Sequence, residues 1–171
     1  ALKKQRRRRE DVYLFVLDSR DAFYMPPLLP SERRYFTAYH AGRWFVWDRV
    51  AQGSLNGPNA FGRLSALTGR MTQAMMSSTQ ARLQIYTDDP CTVLKGSLVE
   101  VKRYIAAMTL FWLALGWGLS FRKGHWGRQV DWIGYKFRVL SGRAEVTIKE
   151  AFTKDFGKDL GRLLRQRRVQ S

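Results

Sequence analysis

Between the apolar run Ala81-Arg82-Leu83-Gln84-Ile85 and Pro90 the chain carries Tyr86-Thr87-Asp88-Asp89, and no other stretch restricts the fold as much. Successive strand residues point to opposite faces, so Asp88 and Asp89 can serve one cation only if the backbone reverses there. The flanks allow this. Pro90 has no N–H for a ladder and drives Asp89 out of the helical region, and Cys91-Thr92-Val93-Leu94 reads as a returning strand ended by Lys95-Gly96. The local expectation is strand, acidic turn, strand. Hard oxygen ligands at such a turn favour magnesium, which commonly takes one or two protein carboxylates together with substrate phosphates. Taken alone, the same residues also describe a solvated Asp-Asp-Pro turn.

The 171 residues suffice for one domain with a real core. Lys and Arg number 30 against 14 Asp and Glu, a formal net charge of +16. That excess calls for a polyanionic partner, nucleic acid before an anionic membrane surface, with strong salt dependence. Aromatic residues, at 13%, are enough both for a core and for stacking on bases. With Cys91 as the single cysteine, an internal disulfide framework and a multi-cysteine zinc site are excluded, which fits a reducing compartment. His40 and His125 alone offer little for histidine-based metal or triad chemistry. The basic run Lys3-Lys4-Gln5-Arg6-Arg7-Arg8-Arg9 does not resemble a secretory leader, so an intracellular protein, cytoplasmic or nuclear, is expected. Tyr104 to Phe121 is uncharged and close to the length of a spanning helix, but Gly116 and Gly118 interrupt it. It is read as a buried core helix followed by a turn, with no membrane partner.

Val12-Tyr13-Leu14-Phe15-Val16-Leu17 has the continuous apolarity of a central strand and delivers Asp18 at its end. Pro26, Pro27 and Pro30 impose an irregular segment, after which Tyr35 to Tyr39 and Trp44 to Trp47 form a hairpin across His40-Ala41-Gly42-Arg43. A helix from Pro58 to Thr79 is expected, with Phe61, Leu64, Leu67, Met71, Ala74 and Met75 on its apolar face, and a second from about Leu98 to Leu115. Val130 to Val139 and Ala144 to Ile148 read as strands about Ser141-Gly142, and Lys149 to Arg167 as a basic helix. Strand pairs mixed with long helices define an α+β domain with an antiparallel sheet.

Asp18 and Asp21 stand at the end of the first strand, in Leu17-Asp18-Ser19-Arg20-Asp21-Ala22-Phe23. Followed in order by Gln52-Gly53 with Pro58, by Tyr86-Thr87-Asp88-Asp89 and by Trp132-Ile133-Gly134-Tyr135, they make a set that resembles the palm of reverse transcriptases from retroviruses and retrotransposons. The resemblance covers roughly residues 12 to 140. It implies an RNA-directed DNA polymerase, a nucleotidyltransferase that adds dNTPs to a primer 3′-hydroxyl on an RNA or DNA template. Asp18, Asp88 and Asp89 would be the catalytic carboxylates holding two Mg2+ ions, with Mn2+ as a substitute. Three such groups repel one another without cations, so metal binding is expected to accompany substrate.

The same resemblance places Asp21 and Ala22 beside the incoming triphosphate and Phe23 against its sugar. An aromatic ring there offers no hydrogen bond and no room to a 2′-hydroxyl. RNA-synthesising relatives tend to carry an acid at the Phe23 position and glycine where Tyr86 and Thr87 stand, so both differences favour deoxynucleotides. Gln52 and Gly53 correspond to a nucleotide-contacting loop, although Ser54-Leu55-Asn56 before Gly57-Pro58 departs from the commonest pattern. Lys123 corresponds to a lysine near the triphosphate, an acid for the pyrophosphate, with Arg122 as a competing assignment. Tyr86 and the turn Trp132-Ile133-Gly134-Tyr135 would meet primer and template. Read singly, Phe23, Trp132 and Tyr135 equally fit the alternative of ordinary core aromatics, and Lys123 that of a solvated charge.

The division expected is a basic tail or fingers remnant at 1–11, the palm at 12–140, and a palm–thumb connection or start of a thumb at 141–171. Fingers would be largely missing and the thumb truncated, as in a palm-centred fragment. The alternative function is a catalytically inactive, basic nucleic-acid-binding remnant of a retroelement.

Overall fold

A computed structural model describes residues 11–168, so the basic run at 3–9 lies outside the described residues. Four strands form the main antiparallel sheet: β1 (Val12–Val16), β4 (Ala81–Tyr86), β5 (Asp89–Lys95) and β6 (His125–Gly127), in the order β4-β5-β1-β6. β2 (Thr37–His40) and β3 (Arg43–Val46) make a separate ribbon, and β7 (Gln129–Trp132), β8 (Tyr135–Leu140) and β9 (Arg143–Ile148) a three-stranded sheet. The helices are α1 (Gly57–Ala74), α2 (Leu98–Ala114) and α3 (Glu150–Arg168). This is the expected α+β domain with an antiparallel sheet.

β1 is apolar throughout because both of its faces are covered. Phe15 and Leu17 join Phe61, Trp112 and Trp117 in the larger core under α1 and α2. Leu14 and Val16 point the other way, into a smaller cluster with Cys91 and Val130 beneath the three-stranded sheet. The alternation is the period of a strand, and burial on two sides requires an unbroken apolar run. Burial also pushes the Cys91 thiol up to about 11, which keeps it protonated and unreactive at neutral pH.

α1 differs from its expected apolar face. It ends at Ala74 rather than Thr79, and it buries Phe61 with Ser65, Thr68 and Thr72, while Leu67, Met71 and Met75 are exposed. Small polar side chains let this helix lie close to the sheet; a Cβ on Gly69 would stand 2.6 Å from Ile85 Cδ1. Their hydroxyls are satisfied. Thr72 Oγ1 donates to the Thr68 carbonyl at 2.7 Å and accepts from Trp112 Nε1 at 2.7 Å. A hydrophobicity pattern cannot register a face that is buried through hydrogen bonding.

α2 begins in a capping box in which Ser97 and Glu100 satisfy each other's backbone N–H groups. The hydrogen bonds from Ser97 hold the Glu100 carboxyl below its usual range. The segment beyond it turns at Gly116, φ +74°, as expected. It is not a wholly buried core helix, however: Val101, Met108 and Trp112 face the core, and Leu110, Leu113 and Leu115 face outward. Among the described residues no helix is long and apolar enough to cross a membrane. The run 130–139, read as one strand, is broken by a two-residue turn with positive φ at Ile133 (42°) and Gly134 (85°), the geometry of a type I′ hairpin. A hairpin at Trp132 to Tyr135 is what the family resemblance implied.

Candidate active site

Asp18 follows β1, and its place is set from both sides. On one side the hairpin of β4 and β5 reaches across, with Leu17 N donating to the Pro90 carbonyl and Ser19 N to the Asp88 carbonyl, each at 3.2 Å. On the other, Ser120 N donates to the Asp18 carbonyl at 2.8 Å and Arg20 N to the Gly118 carbonyl at 2.9 Å. Gly118 has no room for a side chain, since a Cβ there would stand 2.8 Å from the Arg20 carbonyl oxygen. Trp117 Nε1 donates to Ser19 Oγ at 2.9 Å and fastens this strand end to the core.

The acidic turn forms as the flanking residues dictate. Tyr86 pairs with Asp89, Thr87 and Asp88 make the reversal, and Pro90 enters β5 opposite Ile85. Thr87 has φ +55°, a conformation that a β-branched residue rarely adopts. Ser65 Oγ of α1 holds it by donating to the Thr87 carbonyl at 2.8 Å, and Trp132 Nε1 donates to the Asp89 carbonyl at 3.0 Å. The acidic turn is thus clamped between α1 and the β7–β8 hairpin.

The fold brings Asp18, Asp88, Asp89 and Lys123 into one electrostatic group. Lys123 Nζ lies 3.0 Å from Asp18 Oδ1, whose side chain is only 18% exposed. Burial raises the Asp89 carboxyl above its ordinary value, and the charges of Asp88 and Asp18 raise it further, against the pull of Lys123. The hydrogen bond and charge of Asp18 raise the Lys123 ammonium in turn. Among the described residues no three acidic, histidine or cysteine groups stand together as a ready metal pocket. The donor chemistry nevertheless suits a hard divalent cation: carboxylate oxygens, with the Asp89 carboxyl raised first by burial and then by Asp88 and Asp18.

Because the folded Asp89 carboxyl titrates above its unfolded value, the folded state binds its proton more readily, and stability is lost as pH rises through that region. Asp89→Asn should therefore raise the urea midpoint at pH 7 in chelator, by an amount that disappears as pH falls below the carboxylate range. A chelator-independent loss of stability at pH 7 would contradict this electrostatic account.

Asp21 starts a short 3-10 turn over Ala22–Tyr24 with φ +55°, and its carboxylate pairs with Arg20 at 3.7 Å. Asp21 lines a cleft of about 700 Å3 with Arg20, Tyr24, Arg49 and Trp117. Ala22 is buried, and Phe23 packs on Phe61 with ring centroids 5.5 Å apart. Gln52 is exposed and Gly53 takes φ +88° in the loop before α1. Among the described residues no hydrogen bond or ion pair joins either to the carboxylates. Trp132 reaches the acidic turn, while Tyr86, Ile133, Gly134 and Tyr135 are exposed at hairpin ends. Arg122 is exposed, and it is Lys123 that meets Asp18.

His125, set aside on the basis of the sequence, is part of the frame. Its Nδ1 stands 2.9 Å from the Lys123 carbonyl and its Nε2 accepts from Asp131 N at 3.1 Å, so the ring is the Nδ1–H tautomer bridging Lys123 and β7. β6, where it sits, has three residues and carries no periodic signal. Ser65, Trp117 and Ser19 were likewise missed, since each acts through a partner distant in sequence.

An antiparallel sheet with the acidic β4–β5 turn set against the end of β1 defines a reverse-transcriptase-like fold. Solved structures show the likeness directly. The foamy viral protease–reverse transcriptase in complex with an RNA/DNA hybrid matches at a TM-score of 0.65 and 17% identity, over 84% of this chain and 18% of the viral one. Two double-stranded DNA complexes of that protein match at TM-scores of 0.70 and 0.64, each at 18% identity over 84% of this chain, covering 23% and 28% of the viral chains. This chain therefore spans well under a third of those chains' length. No protein-family model and no curated protein matches the sequence.

Proposed function

We propose that this chain is the palm of an RNA-directed DNA polymerase, adding dNTPs to a primer 3′-hydroxyl on an RNA or DNA template inside the cell. The observation that carries this reading is the convergence of Asp18, Asp88, Asp89 and Lys123 from a strand end, a hairpin turn and a distant loop. Asp18, Asp88 and Asp89 would hold two Mg2+ ions, or Mn2+, and when bound these supply charge neutralisation and an activated 3′-hydroxyl. The rest falls to the chain itself. Lys123, charged at neutral pH, would lend its proton to the leaving pyrophosphate. Asp21 and Ala22 would border the triphosphate, with Gln52 and Gly53 closing over the nucleotide. Trp132 braces the acidic turn, so the Ile133–Gly134 tip can set a primer end against it, with Tyr135 and Tyr86 beside the strands. Residues 141–171 would lead toward a thumb. The net charge of +16 supports phosphate-backbone binding with a steep salt slope.

Primer extension on RNA and DNA templates with Mg2+ or Mn2+ tests the reading. Binding of primer-template without incorporation under either metal would instead establish the inactive nucleic-acid-binding remnant, for which the net charge of +16 would suffice. Phe23 supplies a finer test. If its ring meets the sugar, Phe23→Ala should raise ribonucleotide relative to deoxynucleotide incorporation by up to about 10²-fold. An unchanged ratio would leave Phe23 only its packing on Phe61.

A further inference from the structure

The β2–β3 ribbon is unlike the rest of the fold. Every residue of both strands is exposed. A two-stranded ribbon gains little from its own pairing, yet this one holds up large rings: Tyr39 and Trp44, cross-strand partners on one face, are 62% and 72% exposed with centroids 5.1 Å apart. Phe45 occupies the opposite face, and Tyr35 at the base is capped by the Arg34 guanidinium at 4.8 Å. Arg33, Arg34, Arg43 and Arg49 outnumber Glu32 and Asp48 along this segment.

We infer that the ribbon is a stacking platform for unpaired nucleotides of a single-stranded nucleic acid. Aromatic rings interleaved with guanidinium groups suit bases and phosphates together. Duplex bases present no free faces to such rings, which selects an unpaired strand. Tyr39 and Trp44 share one face with Thr37 and Val46, and Arg43 stands with Ala38, His40 and Phe45 on the other, so a bound strand finds rings on one side of the ribbon and a guanidinium on the other. The ribbon also joins the candidate nucleotide site. Trp47, just beyond β3, stacks on Tyr24 with an interplanar angle of 9°, and Tyr24 closes the turn that Asp21 opens. A strand leaving that site has a ladder of rings along a ribbon about 13 Å long. The inference rests on the nucleic-acid reading above and adds the location and pairing state of the bound strand.

Fluorescence anisotropy with labelled dT12 and with a blunt 12-base-pair duplex, on wild type and on the Tyr39→Ala/Trp44→Ala double variant, tests it. Both rings are exposed, so the variant should keep the wild-type circular dichroism and melting temperature. The expected result is at least a fivefold loss of dT12 affinity, the lower end of what one stacked base contributes. Duplex affinity should stay within about twofold, and Trp44→Phe should recover most of the loss. If wild type binds neither probe, the nucleic-acid reading and this one fall together. If wild type binds dT12 and the double variant binds it equally, only the platform falls. Equal loss on both probes, or a wild-type dimer in light scattering that the variant abolishes, would also overturn it in favour of duplex or protein contact.

Discussion

Asp18→Ala and Asp88→Ala are each expected to lower primer extension by roughly 10³-fold or more while primer-template binding stays near wild type, the loss typical of removing a group that stabilises transition-state charge. In free-energy terms that is about 4 kcal/mol from the chemical step. The two effects separate because different parts of the chain carry them. On the proposed reading, phosphate affinity would be spread over the basic surface, whereas the acids would oppose a polyanion until a cation joined them. Asp18→Asn is the sharper control, since it keeps the shape of the strand end and changes only the charge facing Lys123. Asp88→Ala leaves the backbone carbonyl that accepts from Ser19 N, so the turn should stay in place. Extension at wild-type rate in either alanine variant would remove these carboxylates from the chemistry. A loss of extension that simply tracked lost binding would assign them to structure.

Trp112→Ala should cost about 3–5 kcal/mol of folding stability, read from urea unfolding, the usual range for truncating a buried large aromatic residue. Trp112 is 0% exposed, packs on Trp117 at 5.1 Å, and donates to Thr72 Oγ1. Its removal leaves a cavity between α1 and α2 and takes away a partner that lets Thr72 be buried. A domain of ordinary stability holds about 5–15 kcal/mol in all, so the variant is expected to be partly unfolded near 37 °C. Trp112→Phe, which keeps most of the volume, should lose considerably less. The effect should reach the site, because Trp117 rests on Trp112 and donates to Ser19 beside Asp18. A loss below about 1 kcal/mol in the alanine variant would mean the core can collapse around the gap.

The elements that were legible in the sequence are those whose signal is local. β1 shows as an unbroken apolar run because it is buried on both faces, and the acidic hairpin shows because Pro90 and the adjacent acids leave the backbone few alternatives. The Ile133–Gly134 turn was hidden inside a run that reads as one strand and emerged only from the family resemblance, whereas helix α2 was readable for the same reason as β1, through residues adjacent in the chain. The inner face of α1 was not, since Ser65, Thr68 and Thr72 look solvent-facing until Trp112 and the Thr87 carbonyl are known to lie against them. Nor was His125, whose two partners come from different elements.

By itself, then, the sequence determined the strand that ends in Asp18, the turn that carries Asp88 and Asp89, and a charge suited to a polyanion, because each follows from neighbouring residues or from a sum over all of them. Only the tertiary structure decided that Lys123 rather than Arg122 meets Asp18, that burial and then the other acids press on Asp89, and that the β2–β3 rings stay outside the core. Those outcomes depend on which distant groups a fold brings within a few ångströms, and no local pattern encodes that distance.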